Sequence, residues 1–456
     1  MKTDSTSLHG MWSSKIAFIL ATTGSAVGLG NIWRFPYITA ENGGGAFVLM
    51  YLVCVMSVGL PLMLAEIIIG RRGRRSPINT LRLLADEMGA HRAWALIGWS
   101  GLLVGFMVLS FYSVIAGWTL SYAFEYFVTL FSGASTLGDP GSVFSDLTSD
   151  PWRLTFWHTL FLALTAGVVA LGVEQGLERG VKILMPLLFA LLLVLVGYGM
   201  TTGHFGEAVE FLFKPDWRRV ADGRVWLNAM GQAFFSLSLG MAAIMAYGAY
   251  LPRTIPAGST AFTVGLADTG VALVAGLAIF PIAFTYSLDT GAGGVGFTFT
   301  TLPHAFDAMA FGHLYAVAFF LLLSVAAWTS GISLLEPPVA YLVERAGLSR
   351  PKAVLLLAAG VWVLGLGTVL SFNVWAHIKL WNLNIQELLE YASSNLLLPL
   401  GGMATAIFAG WILSRADSRE ELSDLPPWAY GLWRVMVRWV APGVVFLVLL
   451  GVTGVL

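Results

Sequence analysis

Long apolar runs separated by polar connections fall near 16–38, 46–70, 94–128, 155–172, 181–201, 226–250, 261–287, 313–343, 353–371, 385–413 and 437–456. Roughly 20 apolar residues, rising about 1.5 Å each in a helix, cross a bilayer. The pattern therefore predicts eleven transmembrane helices. Several runs exceed 25 residues, which implies tilt or extension beyond the bilayer. No soluble domain and no low-complexity tail breaks the pattern, so residues 1–456 read as one membrane unit. The short polar stretch 1–9 precedes a segment longer than a signal-peptide core and without a small-residue cleavage site, which predicts a retained span.

Two of the runs are interrupted. The first contains Gly24-Ser25-Ala26-Val27-Gly28-Leu29-Gly30-Asn31-Ile-Trp33-Arg34-Phe-Pro36. Each glycine weakens a helix by about 1 kcal/mol relative to alanine. An arginine inside a membrane costs at least about 2.5 kcal/mol without a partner or water. Non-helical backbone at membrane depth is tolerated only where it lines a protein-enclosed site. One reading is that 24–30 unwinds and offers bare carbonyls and N–H groups to something charged at the midplane. The other is a glycine-rich packing face between helices. The second interruption, Gly231-Gln232-Ala-Phe234-Phe235-Ser236-Leu-Ser238-Leu-Gly240-Met241, stands five helices later. Broken helices at matching positions in two halves point to an inverted-repeat transporter with a midplane site. The expected repeats cover about 12–201 and 226–413, with an additional helix at about 437–456. Spacing and the two interruptions carry this expectation, not residue identity between the halves.

Composition agrees with a membrane protein: 57% of residues are apolar and 11% charged, against about 45–50% and 25% for soluble domains. Charge distribution adds an orientation. With the N-terminus inside, Lys2, Lys15, the arginines at 71–92, Arg179, Lys182, Arg253, Arg345, Arg350, Lys352 and the arginines at 415–438 collect on the cytoplasmic side. Only Arg153, Lys214, Arg218, Arg219, Arg224 and Lys379 fall outside. This bias predicts a cytoplasmic N-terminus and an extracytoplasmic C-terminus. No basic domain or arm is present, which disfavours nucleic acid. The single cysteine, Cys54, excludes a disulfide framework and a thiolate metal cage. The seven histidines lack metal-ligand spacing, and no phosphate loop, nucleophile elbow or catalytic carboxylate pair is found.

Polar residues inside the spans are functional candidates because they are expensive there. Asp268 lies within 262–281 with no basic neighbour in sequence, so a bound cation is one natural counter-charge and protonation is the alternative. Glu66 lies close to the 71–75 arginine cluster and reads as a structural or gating ion pair. Glu336, before Pro337 and Pro338, reads as hydrogen-bonded packing. Ser324, Thr329, Ser330 and Ser333 on helix 8 offer oxygen ligands for a hard cation, or bonds to their own preceding turn. Tyr112 is a mid-membrane phenol, either a ligand contact or an aromatic packing residue. The outer connection 288–312, with Gly291, Gly293, Gly294 and Gly296, is either a lid folding into a vestibule or a solvated linker.

The first interrupted helix, followed by Glu41-Asn-Gly-Gly-Gly-Ala-Phe47, resembles the neurotransmitter:sodium symporter family, whose fold is named after LeuT. The resemblance runs from about residue 8 to 415 and includes Pro61-Leu-Met-Leu-Ala-Glu66, 234–240, Ala327-Trp-Thr329-Ser330 and Leu398-Pro-Leu-Gly-Gly402. It implies an all-α polytopic fold with a 5+5 inverted repeat, unwound helices 1 and 6, and an eleventh helix. Eleven helices are similar to the bacterial branch that moves hydrophobic amino acids. The resemblance also implies a multi-pass protein of the plasma (inner) membrane, with no enzymatic activity and no obligatory protein partner.

Carried over residue by residue, the resemblance implies Na+ at two sites. One sodium takes the Ala26 carbonyl, Asn31, Ser236, Asp268 and the substrate carboxylate. The other takes the carbonyls of Gly24, Val27 and Ala326 and the hydroxyls of Thr329 and Ser330. The substrate carboxylate meets the Leu29 and Gly30 N–H groups and Tyr112, as helix N-termini favour anions. The amine faces the carbonyls of Ala26 and Phe235 and the Ser236 region. Ser25, Val108, Phe235, Ser238, Met241, Ser330 and Leu334 form the side-chain pocket. Gly28 stands where monoamine carriers have aspartate, which argues for an amino acid. Ala272 replaces the serine of chloride-dependent relatives, although Tyr51, Gln232 and Ser236 match the other chloride ligands; with Asp268 supplying negative charge, chloride independence is expected. Arg34 and Glu390 form the expected outer gate, with Tyr112 and Phe235 as a lid over the substrate. The inner gate involves Trp12, His9 or Lys2, and Glu344. Gly176 and Pro186 match a motif linked to unwinding of helix 5.

The sequence thus predicts sodium-coupled import of a hydrophobic or neutral L-amino acid. The runner-up is an osmolyte or ω-amino acid carrier for betaine, taurine or GABA-like compounds. A membrane-embedded enzyme lacks a catalytic constellation, a sensor lacks a signalling domain, and proton coupling through Asp268 or Glu66 is a further alternative.

Overall fold

The computed structural model describes residues 10–132, 137–288 and 294–452. Among the described residues each of the eleven predicted runs is helical, two of them with a break. Among the described residues, nine helices are long and apolar enough to cross a membrane: Gly45–Gly73 (span 2), Arg92–Ser132 (span 3), Pro151–Ala170 (span 4), Val173–Thr201 (span 5), Ala257–Thr285 (span 7), Gly312–Ala346 (span 8), Arg350–Ser371 (span 9), Ile385–Ile412 (span 10) and Pro427–Gly451 (span 11). Span 1 is a bent pair, Lys15–Ala26 and Gly30–Glu41, meeting at 55°. Span 6 consists of Gly223–Ser236 and Ala243–Ala249, each too short to cross alone. Span 8 is buried over 83% of its most apolar window and span 11 over 22%, so span 8 lies in the bundle and span 11 on its rim.

The break in span 1 is narrower than the glycine spacing predicts. Gly24, Ser25 and Ala26 remain helical, and Val27 turns extended at φ −70°, ψ 105°. The helix resumes at Gly30. The glycines therefore serve clearance as much as unwinding: a Cβ on Gly30 would stand 2.8 Å from the Phe235 ring. The freed backbone is paired internally, as a low-dielectric surrounding requires. Gln232 Nε2 donates to Gly30 O at 2.8 Å, and Ser238 Oγ to Ser25 O at 2.9 Å.

Span 6 breaks over 237–242. Ser238, Gly240 and Ala242 all have left-handed backbone, at φ +52°, +74° and +61°. Such conformations cost about 1–3 kcal/mol each for non-glycine residues and persist where the surroundings over-determine them. One clamp is Glu66, whose Oε1 accepts from Gly240 N at 2.8 Å. This corrects the reading of Glu66 as an ion-pair partner. The nearby arginines have other carboxylates: Arg71 pairs with Glu421 at 2.6 Å and Arg72 with Asp417 at 2.7 Å. Glu66 is buried and serves the broken helix instead.

The long connections after spans 3, 5 and 7 carry structure of their own. Pro140–Ser149, Phe205–Phe213 and Trp217–Val220 are helical. In the third connection, Phe297–Thr301 and Leu302–Ala308 bury Phe297, Phe299, Leu302 and Phe306. Tyr122 donates to Phe299 O at 2.9 Å, and the Trp33 indole to Gly294 O at 2.8 Å. This segment folds back onto spans 1 and 3; it is not a solvated linker. Gly291 and Gly293 lie outside the described residues.

Candidate functional site

The two breaks face one another across a small cavity. Its lining is Ala26, Gly28, Leu29, Gly30, Val108, Tyr112, Phe235, Ser238, Met241, Ser330 and Leu334, from spans 1, 3, 6 and 8. Every sequence-predicted pocket residue is here except Ser25 and Ser236, which lie just behind the wall. Ser25 O accepts from Ser238 Oγ, and Ser236 turns toward Asp268. The space is about 20 Å³, room for about one water molecule. A larger ligand has to displace Phe235 or the flexible Met241.

One end of the cavity is polar. The Leu29 N–H points at the Tyr112 hydroxyl, 3.4 Å away, and the span resumes here, where first-turn N–H groups lack helical partners. Gly28 keeps this end open: a Cβ there would stand 2.5 Å from Ser330 Oγ and 3.1 Å from Tyr112 Oη. The other end, with Val108, Met241 and Leu334, is apolar.

Behind the polar end, oxygens converge on the Asn31 amide. Asn31 Nδ2 donates to Asp268 Oδ1 at 2.7 Å, Ser236 Oγ at 3.0 Å and Asp268 O at 3.1 Å. Ser236 Oγ also donates to Asp268 Oδ2 at 2.5 Å, and Tyr51 Oη lies 3.2 Å from Ser236 Oγ. Asp268 is fully buried, and no ion pair among the described residues gives it a cationic side chain. An ionised carboxylate so placed needs a cation. The other amide atom, Asn31 Oδ1, accepts from Gly28 N at 3.2 Å. Ser236 and Asp268 thus bring oxygens and a net negative charge to this point, which suits a hard cation.

A second convergence joins spans 1 and 8. Ser330 Oγ stands 3.5 Å from Gly24 O and 3.4 Å from Val27 O, and Thr329 Oγ1 stands 3.0 Å from Ala326 O. A hard cation with oxygens at about 2.3–2.6 Å, as calcium has, separates neighbouring ligands at right angles by about 3.3–3.7 Å. Ser324 and Thr329 bond their own preceding turn, while Ser330 reaches across to span 1.

The outer gate differs from expectation. No ion pair among the described residues joins Arg34 to Glu390. The Arg34 guanidinium covers the Phe235 ring at 4.7 Å, and Glu390 accepts from Gln386 at 2.8 Å on its own helix. At the inner side, Trp12 is buried, its indole donating to Tyr247 O and its backbone N–H to Tyr250 O, each at 3.1 Å. Glu344 accepts from Ser76 N at 2.7 Å and Asn79 at 2.6 Å. His9 and Lys2 lie outside the described residues. Helix 5 is wound from Val173 onward, with Pro186 inside it. Gly176 packs so closely that a Cβ would stand 2.0 Å from Val168 O.

Two clusters escape sequence reading. Glu178, two residues after Gly176, accepts from Ser13 N at 3.0 Å and from Ser13 Oγ, and pairs with Lys182 at 2.6 Å. The segment leading into span 1 is therefore tied to the wound start of span 5. Glu336 is fully buried, paired with Arg350 and accepting from Tyr250 Oη at 2.7 Å, while Arg350 Nε donates to Val169 O at 2.7 Å. Packing is part of this, as the sequence predicts, but the ion pair is not visible there. The only signal for Arg350 is a basic residue opening a span.

A helical bundle with two broken spans meeting at an enclosed, oxygen-lined site defines a multi-pass membrane transporter. The chain belongs to the sodium:neurotransmitter symporter family, whose profile matches residues 9–135 and 143–454. It is 33% identical to an uncharacterized sodium-dependent transporter of Haemophilus influenzae, over 96% of each chain. The crystal structure of MhsT in complex with L-phenylalanine matches with a TM-score of 0.88 and 40% identity, covering 97% of this chain and 99% of that one. The LeuT-type fold and its broken helices 1 and 6 are thereby established. The sodium- and chloride-dependent taurine transporter of dog is more distant, at 26% identity over 92% of this chain and 74% of its own.

Proposed function

We propose that this chain imports a neutral, largely hydrophobic L-amino acid together with sodium, by alternating access. The observation that carries the reading is the fully buried Asp268, which has no ion-pair partner among the described residues, beside a cavity whose near end offers N–H groups and whose far end is apolar. A cation behind the wall and a carboxylate in front of it complete one another. Ala26 O, Asn31, Ser236 and Asp268 hold the first sodium; Gly24, Val27, Ala326, Thr329 and Ser330 hold the second. Leu29, Gly30 and Tyr112 take the carboxylate, and Val108, Met241 and Leu334 take the side chain. Because substrate completes the first sodium shell, each raises the affinity for the other by the same factor. The L-phenylalanine in complex with MhsT supports an amino acid. The basic bias supports a plasma-membrane orientation with a cytoplasmic N-terminus. The pseudo-repeats are read as about 12–201 and 226–413, with the helix from about 437 outside both.

Competition decides the substrate. Leucine, phenylalanine, tryptophan and tyrosine displace bound radiolabelled phenylalanine, and betaine, taurine and GABA do not; the reverse order supports an osmolyte carrier. Ala272 is buried and brings no hydroxyl to Tyr51 and Ser236, so replacing chloride by gluconate leaves sodium-dependent binding unchanged. Binding that collapses in gluconate contradicts this point.

Gly28→Ala tests the carboxylate end. Its methyl group intrudes on Ser330 and Tyr112, and we expect about tenfold weaker amino acid binding, about 1.4 kcal/mol. A matched amine without the carboxylate loses no affinity in the same variant. Equal losses for both ligands place the carboxylate elsewhere.

A further inference from the structure

Most arginines on the basic face of the bundle have protein partners. Arg71 and Arg72 pair with Glu421 and Asp417, Arg253 lies 3.8 Å from Glu420, and Arg434 reaches Ser418 Oγ at 3.3 Å. Arg438 is different. It lies inside span 11, its Nε is buried without a hydrogen-bond partner, and no ion pair among the described residues includes it. Its guanidinium stands 3.8 Å from the Trp411 ring centre and 5.8 Å from that of Trp439. The two indoles meet edge to face at 4.7 Å, and both are exposed, at 44% and 61%.

The arrangement is held by backbone. The Trp411 indole donates to Arg438 O at 3.1 Å, and a Cβ on Gly410 would stand 2.9 Å from Arg438 Cα. Spans 10 and 11 are thus pressed together at this level. Trp411 is the penultimate residue of span 10, so the cluster sits where the chain leaves the apolar layer. The segment that follows carries Asp417 and Glu420, which bind Arg72 and Arg253. The cluster therefore belongs to the basic face.

Two exposed tryptophans at that depth match an interfacial aromatic belt. A guanidinium facing lipid is costly, and stacking on indole offsets only part of the cost. Its planar fork fits a phosphate, and at the interface the phosphates are those of lipid headgroups. We propose that Arg438, clamped by Trp411 and Trp439, binds the phosphate of an anionic phospholipid in the leaflet at the basic face. The proposal is independent of the transported substrate.

The test uses the full-length protein in phosphatidylcholine nanodiscs, with brominated phosphatidylglycerol or brominated phosphatidylcholine added at equal mole fractions. Bromine quenches tryptophan on contact. The component missing from the Trp411→Phe, Trp439→Phe double variant reports the site. In the wild type it half-saturates at about five-fold lower phosphatidylglycerol than phosphatidylcholine, the preference expected for one interfacial arginine. Arg438→Gln brings the two lipids level while keeping sodium-dependent substrate binding, which shows that it is folded. Added inorganic phosphate leaves the quenching unchanged. Absence of the preference in the wild type, its persistence in Arg438→Gln, or relief by inorganic phosphate each overturns the assignment.

Discussion

Replacing Asp268 with alanine abolishes the sodium dependence of substrate binding. The carboxylate is fully buried, 2.7 Å from Asn31 and 2.5 Å from Ser236, and supplies the net negative charge of its cluster. Alanine leaves neutral oxygens and an amide, and a cation taken from water has no counter-charge to repay its desolvation. We expect at least a hundred-fold loss of sodium affinity, about 2.7 kcal/mol, read by titrating sodium against choline with radiolabelled phenylalanine. Asp268→Asn separates ligand from charge, because an amide oxygen still coordinates; its sodium response weakens but persists. A sodium midpoint in Asp268→Ala equal to that of the wild type removes this residue from the coupling site.

Arg350→Met destabilises the protein by about 3–5 kcal/mol, the range for breaking a buried ion pair from one side. Glu336 is wholly buried and is left with only the Tyr250 hydroxyl, and Val169 O loses its donor. The pair joins spans 4, 8 and 9 to the end of span 6, where the Tyr250 carbonyl holds Trp12, just before span 1. Loosening it frees the inner side of the bundle. Thermal unfolding followed by size-exclusion chromatography reads the stability. A cysteine placed near the inner end of span 1, in a Cys54→Ser background, reads the opening as faster thiol labelling. Adding Glu336→Gln restores much of the stability, since no charge is then stranded. A single variant as stable as the wild type means that the pair contributes nothing to the inner closure.

The extent to which the chain is legible follows from the physics of each feature. The spans can be read because hydrocarbon forces apolar segments to satisfy their backbone internally, so a run of apolar residues has one outcome. The site can be read because its residues cluster locally: Ala26, Gly28, Leu29, Gly30 and Asn31 in one break, Phe235, Ser236, Ser238 and Met241 in the other. Costly residues are visible in the sequence, but not what offsets them. Glu66 lies five residues from Arg71 in sequence, yet it binds the backbone of Gly240, 174 residues away. Glu336 shows no partner in its own helix because Arg350 opens the next one. The break in span 1 is shorter than its glycines suggest because glycine does two jobs, and Gly24 and Gly30 serve close approach as well as weakening the helix. The Arg34–Glu390 gate rests on the resemblance; in this structure Arg34 covers the Phe235 ring and Glu390 accepts from Gln386.

The most direct measurement is flux. Wild-type protein in liposomes with an inward sodium gradient accumulates radiolabelled L-phenylalanine, L-leucine or L-tryptophan above equilibrium. Accumulation ends when sodium is replaced by potassium and is unchanged when chloride is replaced by gluconate. Uptake that concentrates these amino acids on a proton gradient without sodium, or that never exceeds equilibrium under a sodium gradient, contradicts sodium-coupled import.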